Sequence, residues 1–272
     1  MLTRMKFGIC DIGQAVERSE QVLAPIRSAL PKVSVELVTA DSGGKPFADS
    51  ADLEHALLEG RVDFAIHQLD QLPAQTLENL PLVAYARRTA LRYGLVLAER
   101  TKKLPKGKPI GCFTRLQLLQ LQELYPKHEI LLLQEKPAVC LRMFHAGTIG
   151  GLVLEHADVD ALDLEPRVLR WFAPKELVPA AGVGVLAVQT RRGTDIGCLK
   201  AAGDLETAWC ALAERAFLRN TIGLTGAYAR IEDGMLVLTA LVETGEGLKK
   251  GDIFGNPQQA AMLGRTLAEH MA

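Results

Sequence analysis

The sequence predicts an α/β protein, and three observations carry that prediction. Short apolar runs alternate with longer amphipathic stretches, one segment (residues 53–73) changes hydrophobic period in its middle, and the chain closes on a hairpin signal followed by an amphipathic helix. In 53–73, Leu53, Ala56 and Leu57 share a helical face, and Gly60 stands where a helix ends by entering the left-handed region. Val62, Phe64, Ala65 and Ile66 then form a run too brief for a helix and suited to a buried parallel strand. Open α/β sheets hold ligands at the carboxyl ends of such strands, so His67, Gln68, Asp70 and Gln71 are expected to face a binding crevice.

Taken in order, residues 6–12 begin as a strand, and 17–30 continue as a helix with Val22, Leu23, Ile26 and Leu30 on one face until Pro31 stops it. Val33, Val35, Leu37 and Thr39 alternate as a second strand. The glycine-rich loop after Thr39 lacks the GK[ST] ending of a phosphate cradle and reads as a loop. Residues 82–100 read as a strand pair around Arg87, Arg88 and Arg92, with a crossing into a second domain there, and the lysine-rich 101–109 as a solvated loop. Residues 109–112 are a strand leading into a helix over 114–124, followed by strands at 130–133 and 150–154. A helix over 204–219 precedes two strands joined at Asp233-Gly234, a strong hairpin dipeptide, and 257–270 form a terminal helix.

Charge and cysteine usage bound the function. With 31 Lys+Arg against 32 Asp+Glu among 272 residues, no global field favours nucleic acid or an anionic membrane surface. No apolar run reaches the roughly 18–20 residues that span a bilayer, and the first residues lack a secretory core. A cytoplasmic monomer is expected. Cys10, Cys112, Cys140, Cys198 and Cys210 are odd in number and widely spaced, which suits reduced thiols rather than a disulfide framework. Ser19 and Ser50, the serines nearest the amino-domain loops, lie in no GxSxG or SxxK motif, so a serine nucleophile has no support there.

The segment EGRVDFAIHQLDQLP resembles DGRADIAVHSMKDVP, a hallmark of the porphobilinogen deaminase (hydroxymethylbilane synthase) family. Further stretches follow in order: FGICDIGQAVERSE against IGTRGSPLALWQAE, GCFTRLQLLQL against GTSSLRRQAQL, QEKPAVCLRMF against RGNVxTRLxKL, and an AERAFL helix. The resemblance implies two α/β domains of the periplasmic-binding-protein kind, linked by two crossings, plus a small C-terminal α+β domain. It implies domain 1 from 1–88 and 182–205, domain 2 from 89–181 and domain 3 from 206–272. Strands near 33–39 and 185–188 must then share a sheet. Gly182 and Gly184 fall in the return crossing, where close packing leaves no room for a side chain.

The residues that carry the family's chemistry differ. Its lysine falls on Asp70, and its catalytic aspartate falls on Gln71, an amide that transfers no proton at useful pH. Its paired carboxylate-gripping arginines fall on Leu116 and Gln117, with Arg115 displaced by one residue, about 100° around a helix. Two further arginines fall on Cys10 and Cys140. The loop whose cysteine carries the covalent dipyrromethane reads FLRNTIGLTGAYA, shorter and without cysteine, so no cofactor is expected. Cleft-lining candidates are therefore Cys10, Asp11, His67, Asp70, Gln71, Cys112, Thr114, Arg115, Lys136 and Cys140. Lys136 leaves an anion site at a helix start open. Thiolates at Cys10, Cys112 and Cys140 suit a soft metal, but their spacing matches no ligand set, and the favoured reading is cysteine as a small hydrophobe.

The leading functional expectation is a deaminase-like protein without the ordinary reaction, serving as a binding or interaction module for a small anionic or pyrrole-like ligand. The alternatives are a divergent synthase that polymerises porphobilinogen, with Asp11 or Asp70 as its carboxylate, and a binder of another small ligand or of a metal.

Overall fold

The computed structural model describes residues 4–10, 15–41, 43–89, 91–98, 102–135 and 137–272. Asp11 and Lys136 lie outside the described residues. In chain order the elements are β1 (Arg4–Ile9), α1 (Ala15–Ala29), β2 (Ser34–Val38), α2 (Ser50–Leu58), β3 (Phe64–Gln68), β4 (Leu82–Tyr85), β5 (Tyr93–Leu97), β6 (Ile110–Cys112), α3 (Arg115–Leu124), β7 (Ile130–Leu132), α4 (Pro137–His145), β8 (Gly151–Glu155), α5 (His156–Ala161), β9 (Val168–Phe172), β10 (Leu186–Thr190), α6 (Leu205–Arg219), β11 (Thr225–Glu232), β12 (Met235–Thr244), β13 (Gly247–Gly255) and α7 (Ala260–Met271). No helix among them is long and apolar enough to cross a membrane.

The strands form three sheets, and the protein is an α/β chain with an α+β unit at its C-terminal end. The first sheet runs β2-β1-β3-β10-β4, the second β7-β6-β8-β5-β9, and the third β11-β12-β13. In the first, β1, β2 and β3 are parallel and β10 runs against both neighbours. The second repeats the plan, with β6, β7 and β8 parallel and β5 antiparallel to β8 and β9. Strands 34–38 and 186–190 thus belong to one sheet. Each lobe receives its antiparallel strand after a crossing from the other lobe, so neither sheet is complete without both crossings.

The hydrophobic pattern explains which elements form. Asp49 caps α2 by accepting from the Asp52 amide, and Gly60 closes it at φ +70°, donating to the Leu57 carbonyl at 3.1 Å. Phe7 and Phe64 stack at 4.9 Å and are fully buried, tying β1 to β3 beneath α1. Burial of side chains of this size contributes about 1.5–3 kcal/mol each. Asp233 (φ +49°) and Gly234 (φ +77°) make the β11–β12 turn, as the dipeptide requires.

The structure differs from the sequence reading at several elements, α5 and β9 among them, which that reading left without secondary structure. β4 and β5 are not a pair; they belong to different sheets, because the chain between them is the first crossing. Ala86 and Thr89 there donate to Leu186 and Gly184 of the return crossing at 2.9 and 3.1 Å. The third sheet also has an additional strand, β13, hidden in the sequence by its exposed Lys249, Lys250 and Asp252. One face of β13 meets α7 and the other meets solvent, so few of its residues are apolar.

Arg88 and Glu214 join the crossings to the third unit. Glu214 is fully buried on α6 and takes Arg88 Nη1 and Nη2 at 2.8 and 2.7 Å. Its two carboxylate oxygens also accept the amides of Ala229 on β11 and Gly182 in the return crossing, at 2.6 and 2.7 Å. Arg88 lies 5.1 Å from the Tyr228 ring centroid and donates to the Ala229 carbonyl, while its Nε is buried without a partner. Gly182 sits at φ +87°, and an added Cβ there would come within 2.8 Å of Leu69 Cγ.

Glu214→Gln is expected to destabilise the protein by about 3–5 kcal/mol in denaturant melts, because it strands a buried guanidinium. Adding Arg88→Met to that background should recover part of the loss. A single variant within 1 kcal/mol of wild type, on the order of an exposed ion pair, overturns the assignment of this pair as a junction.

Candidate functional site

The carboxyl ends of β3, β6, β7 and β8 turn toward one another across the groove between the two lobes, and a cavity of about 510 Å³ opens there. Asp70 lines it from the first lobe. Phe113, Thr114, Arg115 and Gln117 line it after β6, Gln134 and Glu135 after β7, and Glu155 and Asp158 at the end of β8. Val178, Pro179, Ala180 and Val183 of the return crossing form an apolar floor, and Leu224 and Thr225 reach in from the third unit. The size suits a small molecule.

Among the charged residues of this lining the acids Asp70, Glu135, Glu155 and Asp158 outnumber the base, Arg115. Burial raises the pKa of Glu155, and the charges of Asp158 and Asp70 push it in the same direction. Burial also raises Asp70 and Asp158, while Arg18 on α1 opposes the shift at all three. The Arg18 guanidinium reaches over from the first lobe, 3.5 Å from Gln68 Oε1. Arg115 extends to the third unit and pairs with Glu243 on β12 at 2.6 Å. Thr114 is the N-cap of α3, accepting from the Gln117 amide at 3.1 Å. Gln117, buried, accepts from the Phe113 amide and meets the Tyr93 hydroxyl.

Gln71 does not line this cavity. It lies with Cys10, His67 and Gln68 on a separate recess of about 120 Å³ within the first lobe. The short helical turn at 69–71 sends the two neighbouring residues into different spaces. His67 is buried, and its Nε2 is 2.9 Å from Gln189 Oε1. Gln189 spends its amide hydrogens on Glu54 Oε1 and the Leu80 carbonyl, so His67 is the donor and carries its proton on Nε2. Burial lowers its pKa to about 4. This arrangement fastens β3 to β10 and leaves the ring no proton to exchange near neutrality.

The cysteines divide. Cys10 lines the smaller recess, donates to the Asp49 carbonyl at 3.1 Å, and is pushed to about 11 by burial and the nearby Asp49 and Asp52. Cys112 and Cys140, expected at the cleft, are instead buried: the last position of β6 packs under α3, and Cys140 packs inside α4's inner face. Burial raises both thiols, Cys112 to about 12. Among the described residues no three His, Cys, Asp or Glu side chains gather to hold a metal.

Residues missed from sequence do much of the positioning. Buried Gln120 donates to the Leu116 and Val178 carbonyls and accepts from the Val178 amide, fixing α3 to the cavity floor. Arg215 on α6 donates to the carbonyls of Pro73 and Ala74, holding the loop after β3. Arg18, Glu155 and Asp158 carry no motif; their only sequence signal is a place at a strand end, for Glu155, three residues beyond it, for Asp158, or on a helix beside the sheet, for Arg18.

Residues 36–196 match the family model described as "Porphobilinogen deaminase, dipyromethane cofactor binding domain". The chain belongs to the porphobilinogen deaminase family. The porphobilinogen deaminase of Alkaliphilus oremlandii (strain OhILAs) is 32% identical over 285 residues, covering 98% of this chain and 96% of that protein. That of Ruminiclostridium josui is 29% identical over 288 residues, covering 99% and 98%. Among solved structures, the BenM effector binding domain with its effector benzoate is similar at TM-score 0.44 and 13% identity, covering 74% of this chain and 90% of that one.

The covalent dipyrromethane of the porphobilinogen deaminase family, a pyrrole group bearing carboxylates on a thioether, does not fit the residues present. No thiol lines the 510 Å³ cavity. Cys210, the thiol before the anchoring loop, sits inside α6, where burial and then Glu214 push it to about 12.

His67 makes stability pH-dependent. The unfolded chain protonates this ring near 6.5 and the folded chain only near 4, so the unfolded state binds more protons between those values and stability falls as pH drops through that window. The contribution, fully present above 6.5, is roughly 3 kcal/mol. Subtracting the stability-against-pH curve of His67→Gln from that of wild type should leave this slope; a flat difference from pH 4 to 6.5 overturns the placement.

Proposed function

We propose that this chain is a porphobilinogen-deaminase-like protein that does not run the deaminase reaction and keeps its two-lobed cleft as a binding or interaction module. The observation that carries the reading is the separation at residues 70 and 71. The position matching the family's acid is a neutral amide outside the main cavity, and the one that matches its lysine is a carboxylate inside it. Arg115 is the one basic residue on the described lining, and it also makes an exposed pair with Glu243, worth at most about 1 kcal/mol. Each missing charge-assisted grip on a substrate carboxylate forfeits about 1.5–3 kcal/mol, and the missing acid forfeits about 10²–10⁴-fold in rate. The 32% identity to a protein named porphobilinogen deaminase over 98% of the chain favours a second reading, a divergent hydroxymethylbilane synthase that works without the usual anchor.

Two measurements separate these readings. Protein purified from a host that makes dipyrromethane is expected to show the unmodified mass by intact mass spectrometry and no colour with an aldehyde reagent for pyrroles. Micromolar protein incubated with porphobilinogen should consume it no faster than buffer, and Gln71→Asp alone should not restore turnover, because substrate and primer are not held. Uroporphyrin after oxidation of the wild-type mixture would promote the synthase.

A further inference from the structure

The charge of the cleft goes further than the loss of a reaction, and this inference rests on the reading of the cleft as a binding site. Porphobilinogen and the chain built from it carry two carboxylates on every ring, so a site for them needs cations. Here Asp70 stands on one wall and Glu155 and Asp158 on the other, close enough for Asp70 to act on Glu155 across the groove. A molecule filling the cavity therefore meets carboxylates from both lobes. Arg115, the one basic residue among the described lining residues, is held by Glu243. Arg18 is a single guanidinium facing three acids.

We infer that Asp70, Glu155 and Asp158 are the specificity-determining residues of the cleft and that they exclude polycarboxylate pyrroles. The physical reason is like-charge juxtaposition in a partly water-excluded groove, where repulsion is screened less than at a surface. The apolar floor of Val178, Pro179 and Val183 still offers contact area, so charge rather than shape is what turns the family's ligand away.

The test is calorimetric titration with porphobilinogen at neutral pH and low salt. Three proteins are compared: wild type, Asp70→Asn/Glu155→Gln/Asp158→Asn, and a control, Glu123→Gln/Glu246→Gln/Glu269→Gln, which makes the same change in net charge at exposed sites away from the cavity. The cleft variant is expected to bind porphobilinogen at least about tenfold more tightly than wild type, with the control unchanged. Equal gains in control and cleft variant, or no gain in the cleft variant, overturn the inference. Should the triple variant fail to fold, Asp70→Lys, a change on one wall only, must tighten binding by itself, and an unchanged affinity is equally fatal. Wild type that binds porphobilinogen without consuming it defeats this inference and leaves the non-catalytic reading standing. A cleft variant that both gains binding and turns porphobilinogen over does the reverse.

Discussion

The architecture depends on one buried ion pair, Arg88 with Glu214, because four separate parts of the chain meet at it. Arg88 belongs to the first crossing, Gly182 to the return crossing, Ala229 to β11 and Glu214 to α6. A desolvated carboxylate is tolerable only when its lone pairs are satisfied, and Glu214 meets that condition with two guanidinium bonds and two backbone amides. The pair therefore specifies geometry as much as it stabilises: a carboxylate needing four donors in fixed directions admits few ways of placing the crossings against the third unit. The fork orients the guanidinium through Nη1 and Nη2 and leaves Arg88 Nε buried without a partner.

Once the crossings are fixed, the cleft follows. The two lobes share a strand order because each accepts one antiparallel strand from across the hinge, β10 into the first sheet and β5 into the second. That exchange brings the carboxyl ends of β3 and β8 face to face. Close contact between the crossings sets the spacing, and it needs Gly182 and Gly184 at positive φ, where a Cβ would strike Leu69 or Thr89. Gln120, bonded three ways to α3 and Val178, then pins the second lobe to the same floor.

Most of this frame was legible in the sequence. Period changes marked the helices and strands, Asp233-Gly234 marked the hairpin, and Gly182 and Gly184 marked a close approach. What escaped shows why patterns fail. β13 was invisible because a strand with one face in solvent and Lys249, Lys250 and Asp252 along it carries too few apolar residues to be counted. β4 and β5 read as a pair because sequence neighbours usually pair, and only the crossing separates them. In the cleft, alignment placed Thr114 and Arg115 beside the cavity but could not say that Arg115 would be drawn to Glu243, a contact across 128 positions of sequence. Cys112 and Cys140 were placed at the cleft, Cys140 on an arginine of the family, yet a thiol lacks the reach and the charge of arginine, and both are buried.

The separation between scaffold and site lets the fold persist whatever charge its cleft carries. Arg88, Glu214 and Gly182 do not line the large cavity, so the junction's geometry places no demand on residues 70, 155 or 158. Conversely, burial raises the pKa values of Asp70, Glu155 and Asp158, and a group held above its ordinary value in the folded state weakens rather than supports folding while it is charged. Repelling one class of molecule from an otherwise suitable cavity is a role that fits their placement, on opposite walls, around a floor apolar enough to bind.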